Sequence, residues 1–312
     1  MVAADNDGNF VVVWESDSQD GSATGVFGQR YDNGGNPVGG EFQVNTYTNL
    51  FQDLPSVAYD PAANFIVVWT SIGQDGSFGG IYAQRYDSNG MPSGEEFRVN
   101  SYTKGNQESP VVAADNDGNF VVVWESRGQD GDKTGVFARR FDNTGRPLGD
   151  DFQVNEYTTN FQSHPYVSSD SAGELVVVWD SNGQDGTSSV GVFGQRLAAL
   201  PSLSVGDVAV LEGGPRMAKG IFVPVRLSDA STQTVTVDYA TADGSANAGT
   251  DYIATSGTLT FAPGDTLRTI VVRIRGEGVK EDDETFYVNL SNSTNATMAD
   301  SQGVVTILND DQ

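Results

Sequence analysis

The chain has 312 residues, 38% hydrophobic and 10% aromatic, enough for two domains with separate cores and too apolar for a disordered polymer. A net charge of −25 repels phosphate backbones and argues against nucleic acid as a partner, and the lack of cysteine removes disulfides, thiolate catalysis and zinc–thiolate sites. No run approaches the roughly 18 apolar residues of a membrane span, while 37 glycines and no sustained helical periodicity point to an all-β protein rich in turns.

The first 200 residues are governed by one repeat. Tryptophan occurs at Trp14, Trp69, Trp124 and Trp179, one every 55 residues, and each closes a Val-Val-Val or Ile-Val-Val run. A fixed period of this length marks a stacked or circular array. The third unit is the clearest. It reads as a strand over 110–115, an Asp-Asn-Asp-Gly-Asn turn, a strand over 120–126 and a Gln-Asp-Gly loop. A third strand over 135–142, a turn and a fourth strand over 151–155 complete it. Four strands joined by short Gly/Asn/Asp turns make one blade of a β-propeller, and the rhythm resembles WD40-like and related propellers.

Units of about 2–56, 57–111, 112–166 and 167–200 predict a partial ring of about four blades, each of four antiparallel strands. The last unit has only its first three strands before residues 197–200. Either 197–205 supplies the missing strand or the ring continues upstream. Met1 falls at the repeat position of Ser56, Val111 and Tyr166, so the preferred reading is a longer protein with further blades or domains.

Repeated polar residues are read as scaffold. Asp5-Asn6-Asp7-Gly8 and Asp115-Asn116-Asp117-Gly118 look like the start of a calcium loop. Neither continues to a bidentate Glu, and the second unit has Pro61-Ala62-Ala63 there, so hairpin turns are expected. Asp20, Asp75, Asp130 and Asp185 of the Gln-Asp-Gly loops are expected to accept backbone N–H groups of their own loops. Arg30, Arg85, Arg140 and Arg196 are expected to be held within their own blades, near Asp32, Asp87 and Asp142. His164 is the sole histidine, and no Ser/His/Asp or metal–histidine set can be assembled.

From residue 201 the repeat stops. About seven short strands follow, over 203–211, 220–227, 234–241, 257–261, 268–274, 284–290 and 303–308, the pattern of a two-sheet Greek-key β-sandwich over 201–312. The segments Val210-Leu211-Glu212-Gly213, Ala248-Gly249-Thr250-Asp251-Tyr252, Glu281-Asp282-Asp283-Glu284-Thr285-Phe286 and Val305-Thr306-Ile307-Leu308-Asn309-Asp310-Asp311 appear in order. Together with Gly257–Gly264 they resemble the successive signatures of a Calx-beta domain. That resemblance implies calcium held between loops at one end of the sandwich by Glu212, Asp251, Glu277, Glu281, Asp310 and Asp311, with Glu284 a weaker candidate. Asp282 and Asp283 are read as solvated. Gly276 and Asn309 replace acids of calcium-rich members, so one or two sites of modest affinity are expected. Independently of family, acids from separate loops are the oxygen source that calcium needs.

The sequence therefore predicts a non-enzymatic, calcium-binding module of a secreted or cell-surface protein, with a propeller scaffold for adhesion or for a glycan or protein ligand. The acidic surface suits a cation-rich extracellular setting. The alternative is a propeller-based glycan-binding protein or acid-catalysed glycosidase with a calcium-stabilised accessory domain.

Overall fold

Each Val-Val-Val-Trp or Ile-Val-Val-Trp run forms the second strand of an antiparallel sheet, because a continuous run rich in β-branched residues suits a strand with apolar side chains on both faces. The computed structural model describes residues 1–171, 173–186, 189–214, 218–278 and 280–311, all-β with no helix among them. It divides into two compact units, Met1–Ala199 and Leu200–Gln312.

In the first unit, blade 1 comprises β1 (Val2–Ala4), β2 (Phe10–Asp17), β3 (Thr24–Tyr31) and β4 (Pro37–Gln43). Blade 2 comprises β5 (Gln52–Tyr59), β6 (Phe65–Ile72), β7 (Gly79–Tyr86) and β8 (Phe97–Arg98). Blade 3 comprises β9 (Gln107–Ala114), β10 (Phe120–Arg127), β11 (Thr134–Phe141) and β12 (Phe152–Gln153). Blade 4 has three strands, β13 (Gln162–Ser169), β14 (Leu175–Asn182) and β15 (Val190–Leu197). The first strands begin earlier than the sequence pattern indicated. Register slips in β5, β9 and β13 let Leu54, Ser109 and His164 take positive φ, after which pairing resumes.

Packing between blades has one form, repeated three times. The face of β2 and β3 carrying Val11, Val13 and Val26 buries against the next blade's Phe65, Val67 and Trp69. Ile66, Val68 and Ile81 meet Phe120, Val122 and Trp124 in the same way, and Val121, Val123 and Val136 meet Leu175, Val177 and Trp179. A large aromatic on one side of each wedge fills the widening space between twisted sheets.

Polar straps reinforce each junction. Asn100 accepts the Ile81 N–H at 2.7 Å and donates to the Tyr102 carbonyl and to Gln107 Oε1, joining β7 to the start of the next blade. Asn45 and Asn155 repeat the arrangement. Removing this side chain leaves a buried N–H without a partner. Asn100→Ala is expected to cost about 2 kcal/mol in urea denaturation.

Three of the four third-strand arginines correct the expectation that they stay within their own blades, whereas Arg196 pairs with Glu174 of its own blade. Arg30 donates to the Ser88 and Asn89 carbonyls, and Arg85 to those of Asn143 and Thr144, all in the following blade's turn. Arg140 donates to the Ala198 carbonyl at 2.6 Å. A planar fork of donors suits converging turn carbonyls better than a single carboxylate. The Gln-Asp-Gly loops do close on themselves, with Asp20, Asp75 and Asp130 each accepting the N–H two residues on. Asp5 and Asp115 likewise hold hairpin turns through the N–H groups of Asp7 and Asn9, and of Asp117 and Asn119.

Between the first strands, burial and then the charges of Glu15 and Glu108 push Asp53 up to about 6. The unfolded chain binds this proton less tightly, so the stability associated with a neutral Asp53 is present below about pH 4 and lost as pH rises through 6. Asp53→Asn is expected to stabilise the repeat unit by about 1 kcal/mol at pH 7.5, allowing for solvent screening, and to change nothing at pH 4. Denaturation curves at the two pH values check this.

The second unit is a sandwich of two five-stranded sheets. One runs β20 (Tyr252–Ile253), β22 (Leu267–Arg275), β18 (Ala218–Leu227), β16 (Ser202–Val205), β24 (Thr297–Asp300). The other runs β17 (Val208–Leu211), β25 (Gln302–Leu308), β23 (Glu284–Thr294), β19 (Val235–Asp243), β21 (Ser256–Phe261). The single strand read over 203–211 is thus two. The chain changes sheets at Gly206 and Asp207, whose backbone and side chain are tied to the Pro224 carbonyl and the Val304 N–H. Because β16 pairs with β18 and β24, residues 197–205 do not supply a fourth strand to blade 4. The sandwich core centres on Leu203, Val223, Tyr252, Phe286 and Val305, with the Tyr252 and Phe286 rings stacked 4.1 Å apart.

Candidate metal centre

Four chain segments bring acids to one end of the sandwich. β17 runs parallel to β25, so the residues that follow them, Glu212 and Asn309-Asp310-Asp311, emerge side by side. The turn entering β20 carries Asp251, and the loop from β22 to β23 carries Glu277, Glu281 and Asp282. Nothing in the strand alternation requires acids here.

Glu212 is buried, and its Oε1 accepts the Glu277 N–H at 2.8 Å. Carboxylate oxygens of Glu212, Glu277 and Glu281 all lie within 4.8 Å of one another. Glu212, Asp251, Glu281, Asp282, Glu284 and Asn309 line one small cavity with Ile307. Asp310 Oδ1 accepts the Gly213 N–H at 3.1 Å. Asp311 donates its N–H to Asn309 Oδ1, while its own Oδ2 is buried with no protein partner.

The six acids singled out in the sequence therefore reach the same end of the sandwich. Asp282, read as solvated, is exposed and also lines the cavity. Glu284 does so too, as the first residue of β23 directly after the Glu281-Asp-Asp run. Asp283 has a supporting position: its Oδ1 takes the Asn309 N–H at 3.0 Å, while the Asn309 amide donates to the Glu281 carbonyl at 2.6 Å. Asn309 therefore ties the β22–β23 loop to the end of β25. Gly276 has a steric reason, since a Cβ there would stand 2.1 Å from the Gly213 carbonyl oxygen.

Like charges dominate the electrostatics. A hydrogen bond with Glu277, then desolvation and the charges of Glu277, Glu284 and Glu212, push Glu281 up to about 7. Burial, with Glu277, Asp311 and Asp310 nearby, raises Glu212, and burial with Asp251 raises Glu284. Carboxylates that oppose one another's charge in this way are relieved by a divalent, oxygen-seeking ion. The buried, unpartnered Asp311 oxygen fits the same ion.

Residues 216–311 match the family model described as the Calx-beta domain. Sodium/calcium exchanger 1 of Canis lupus familiaris is 46% identical over 74 residues, which is 24% of this chain and 8% of the exchanger. Residues 216–311 are a Calx-beta domain. The apo form of the Calx CBD1 domain is 28% identical, covering 36% of this chain and 99% of that one, with a TM-score of 0.33. An endo-arabinase of Bacteroides thetaiotaomicron is 17% identical, covering 61% of this chain and 72% of its own, with a TM-score of 0.38. The chain spans a small fraction of the exchanger's length, and Glu212, which precedes the matched segment, completes the acidic end of the Calx-beta domain.

Proton and cation compete for the same oxygens at this end. Calcium affinity is expected to fall as pH drops through about 7, where Glu281 takes up its proton, and binding at pH 7 should release protons. Calorimetric titration in two buffers of different ionisation enthalpy measures that release.

Proposed function

We propose that this chain is a non-enzymatic, calcium-binding module of a secreted or cell-surface protein, in which the Calx-beta domain takes calcium and the blades serve as a scaffold for a surface ligand. Glu212, Glu277 and Glu281 would hold the ion, with Asp251, Asp310 and Asp311 from the flanking loops. The observation that carries the reading is the approach of three carboxylates within 4.8 Å, one of them buried. Bare, that arrangement is repulsive; with calcium it becomes a ligand set from separate segments, and binding stabilises the fold by mass action.

Absence of catalysis rests on the regularity of the blades. His164, whose Nδ1 lies 3.0 Å from Asp180, is largely exposed. The acids near the first strands, Glu15, Glu108 and Glu125, are absorbed in part by structure: Glu15 takes the Leu54 N–H and Glu125 the His164 N–H. Calcium titration of the whole chain by calorimetry tests the proposal. Saturable binding that chelator reverses is the expected result, and no calcium-dependent heat would remove the metal function. Turnover on a panel of glycans would replace the scaffold reading with an enzymatic one.

A further inference from the structure

We infer that Gly276 and Asn309 are positioning residues for calcium, which clamp the two ends of the β22–β23 loop to the ends of β17 and β25. The inference rests on the calcium-binding reading of this end and adds to it two residues that carry no charge. The first clamp is a close backbone approach. Gly276 lies against the chain just beyond β17, where a Cβ would stand 2.1 Å from the Gly213 carbonyl oxygen and 2.6 Å from that of Gly214. Any side chain at 276 forces the loop away from that backbone. With glycine there, the next residue reaches Glu212, 65 residues distant in sequence, whose Oε1 takes the Glu277 N–H at 2.8 Å. Glu212 and Glu277 are two of the three carboxylates that converge.

The second clamp is a side chain. Asn309 follows β25 and makes hydrogen bonds in three directions. Its amide nitrogen donates to the Glu281 carbonyl at 2.6 Å, its Oδ1 accepts the Asp311 N–H at 2.8 Å, and its own N–H goes to Asp283 Oδ1 at 3.0 Å. One side chain therefore fixes the backbone at both Glu281 and Asp311, which come from different segments. An aspartate at 309 keeps the acceptor for Asp311 but has no N–H for the Glu281 carbonyl, so two oxygens would face each other. Charge counting and positioning then give opposite answers. Calcium affinity follows both the number of carboxylates and the rigidity of the site. At 276 and 309 an acid would add charge and open the clamp, and we expect the lost rigidity to dominate. Groups that orient metal ligands are typically worth ten- to a hundredfold in affinity.

Calcium titration calorimetry of the whole chain carrying Asn309→Asp or Gly276→Ala tests the inference. Each variant should bind calcium about ten- to a hundredfold more weakly than the native chain, although the first gains an acid and the second changes no charge. Trypsin cleavage after the exposed Lys280, followed in chelator, reads the clamps without the ion. It should be several-fold faster in both variants, because the loop opens more often once an anchor is lost. Glu212→Gln separates ligand from clamp: it keeps the acceptor for the Glu277 N–H and should lose affinity without faster cleavage. A sandwich transition retained in chelator shows that a variant folds, and if one variant loses it the other carries the test. Asn309→Asp binding calcium as tightly as the native chain or more so, or cleavage no faster in either variant, would overturn the inference while leaving the calcium centre in place. A native chain that binds no calcium would instead remove the reading on which the inference rests, and the inference with it.

Discussion

Replacing Trp124 with alanine is expected to destabilise the repeat unit by about 3–5 kcal/mol, the largest effect of any single truncation in the blades. The side chain is fully buried and faces Phe137 across the β10–β11 pair. Around it lie Ile66, Val68 and Ile81 of blade 2, so its loss opens a cavity between blades that neither rigid sheet can close. Its indole Nε1 has no protein partner, and packing rather than a hydrogen bond is what disappears. Trp14→Ala is the internal control. The same residue type occupies the same repeat position but is only partly buried, and its cost should be less than half as large. Denaturation of the two variants side by side measures the difference, and equal losses would contradict the account of the junctions. Neither change touches an acid of the sandwich, so calcium binding should persist in both.

The second large effect is expected at Glu212. Glu212→Gln keeps an acceptor for the Glu277 N–H but removes a charge from the middle of the acidic cluster. Calcium affinity should fall about a hundredfold, roughly 2.7 kcal/mol. Stability without calcium should hold steady or rise, because Glu212 is one of the charges that raise Glu281 and Glu284. A structural carboxylate would behave in the opposite way, losing stability and leaving affinity intact. The double change Asp251→Ala/Asp310→Ala should also abolish binding. Asp283→Asn should have a smaller effect, since this residue supports Asn309.

The blades were legible in the sequence because their driving pattern is local and repeated. Continuous Val runs fix the strands, and Gly118, with φ of 78°, fixes the turn. The reach of Arg30 to a turn 58 residues away was not legible, because it depends on how one sheet lies on the next. The sandwich shows the same division. Strand positions and the acid-bearing loops followed from pattern and resemblance, whereas the sheet change at Gly206 did not, since the Gly206-Asp207 step shifts the apolar alternation by only one residue between Leu203, Val205 and Val208, Val210. Asp282 is exposed, as read, but its place beside Glu281 in the lining of the cavity was not legible, because neighbouring acids in a loop carry no signal of direction.

Scanning calorimetry of the whole chain, in chelator and then in calcium at a hundred times its dissociation constant, tests the central claim most directly. Two transitions are expected, one for each compact unit. Calcium should stabilise the Calx-beta transition by about 2.7 kcal/mol and leave the blade transition where it stands, and Glu212→Gln should remove the shift. A calcium shift confined to the blades, or none in either transition, would contradict the assignment of the metal centre to Glu212, Glu277 and Glu281.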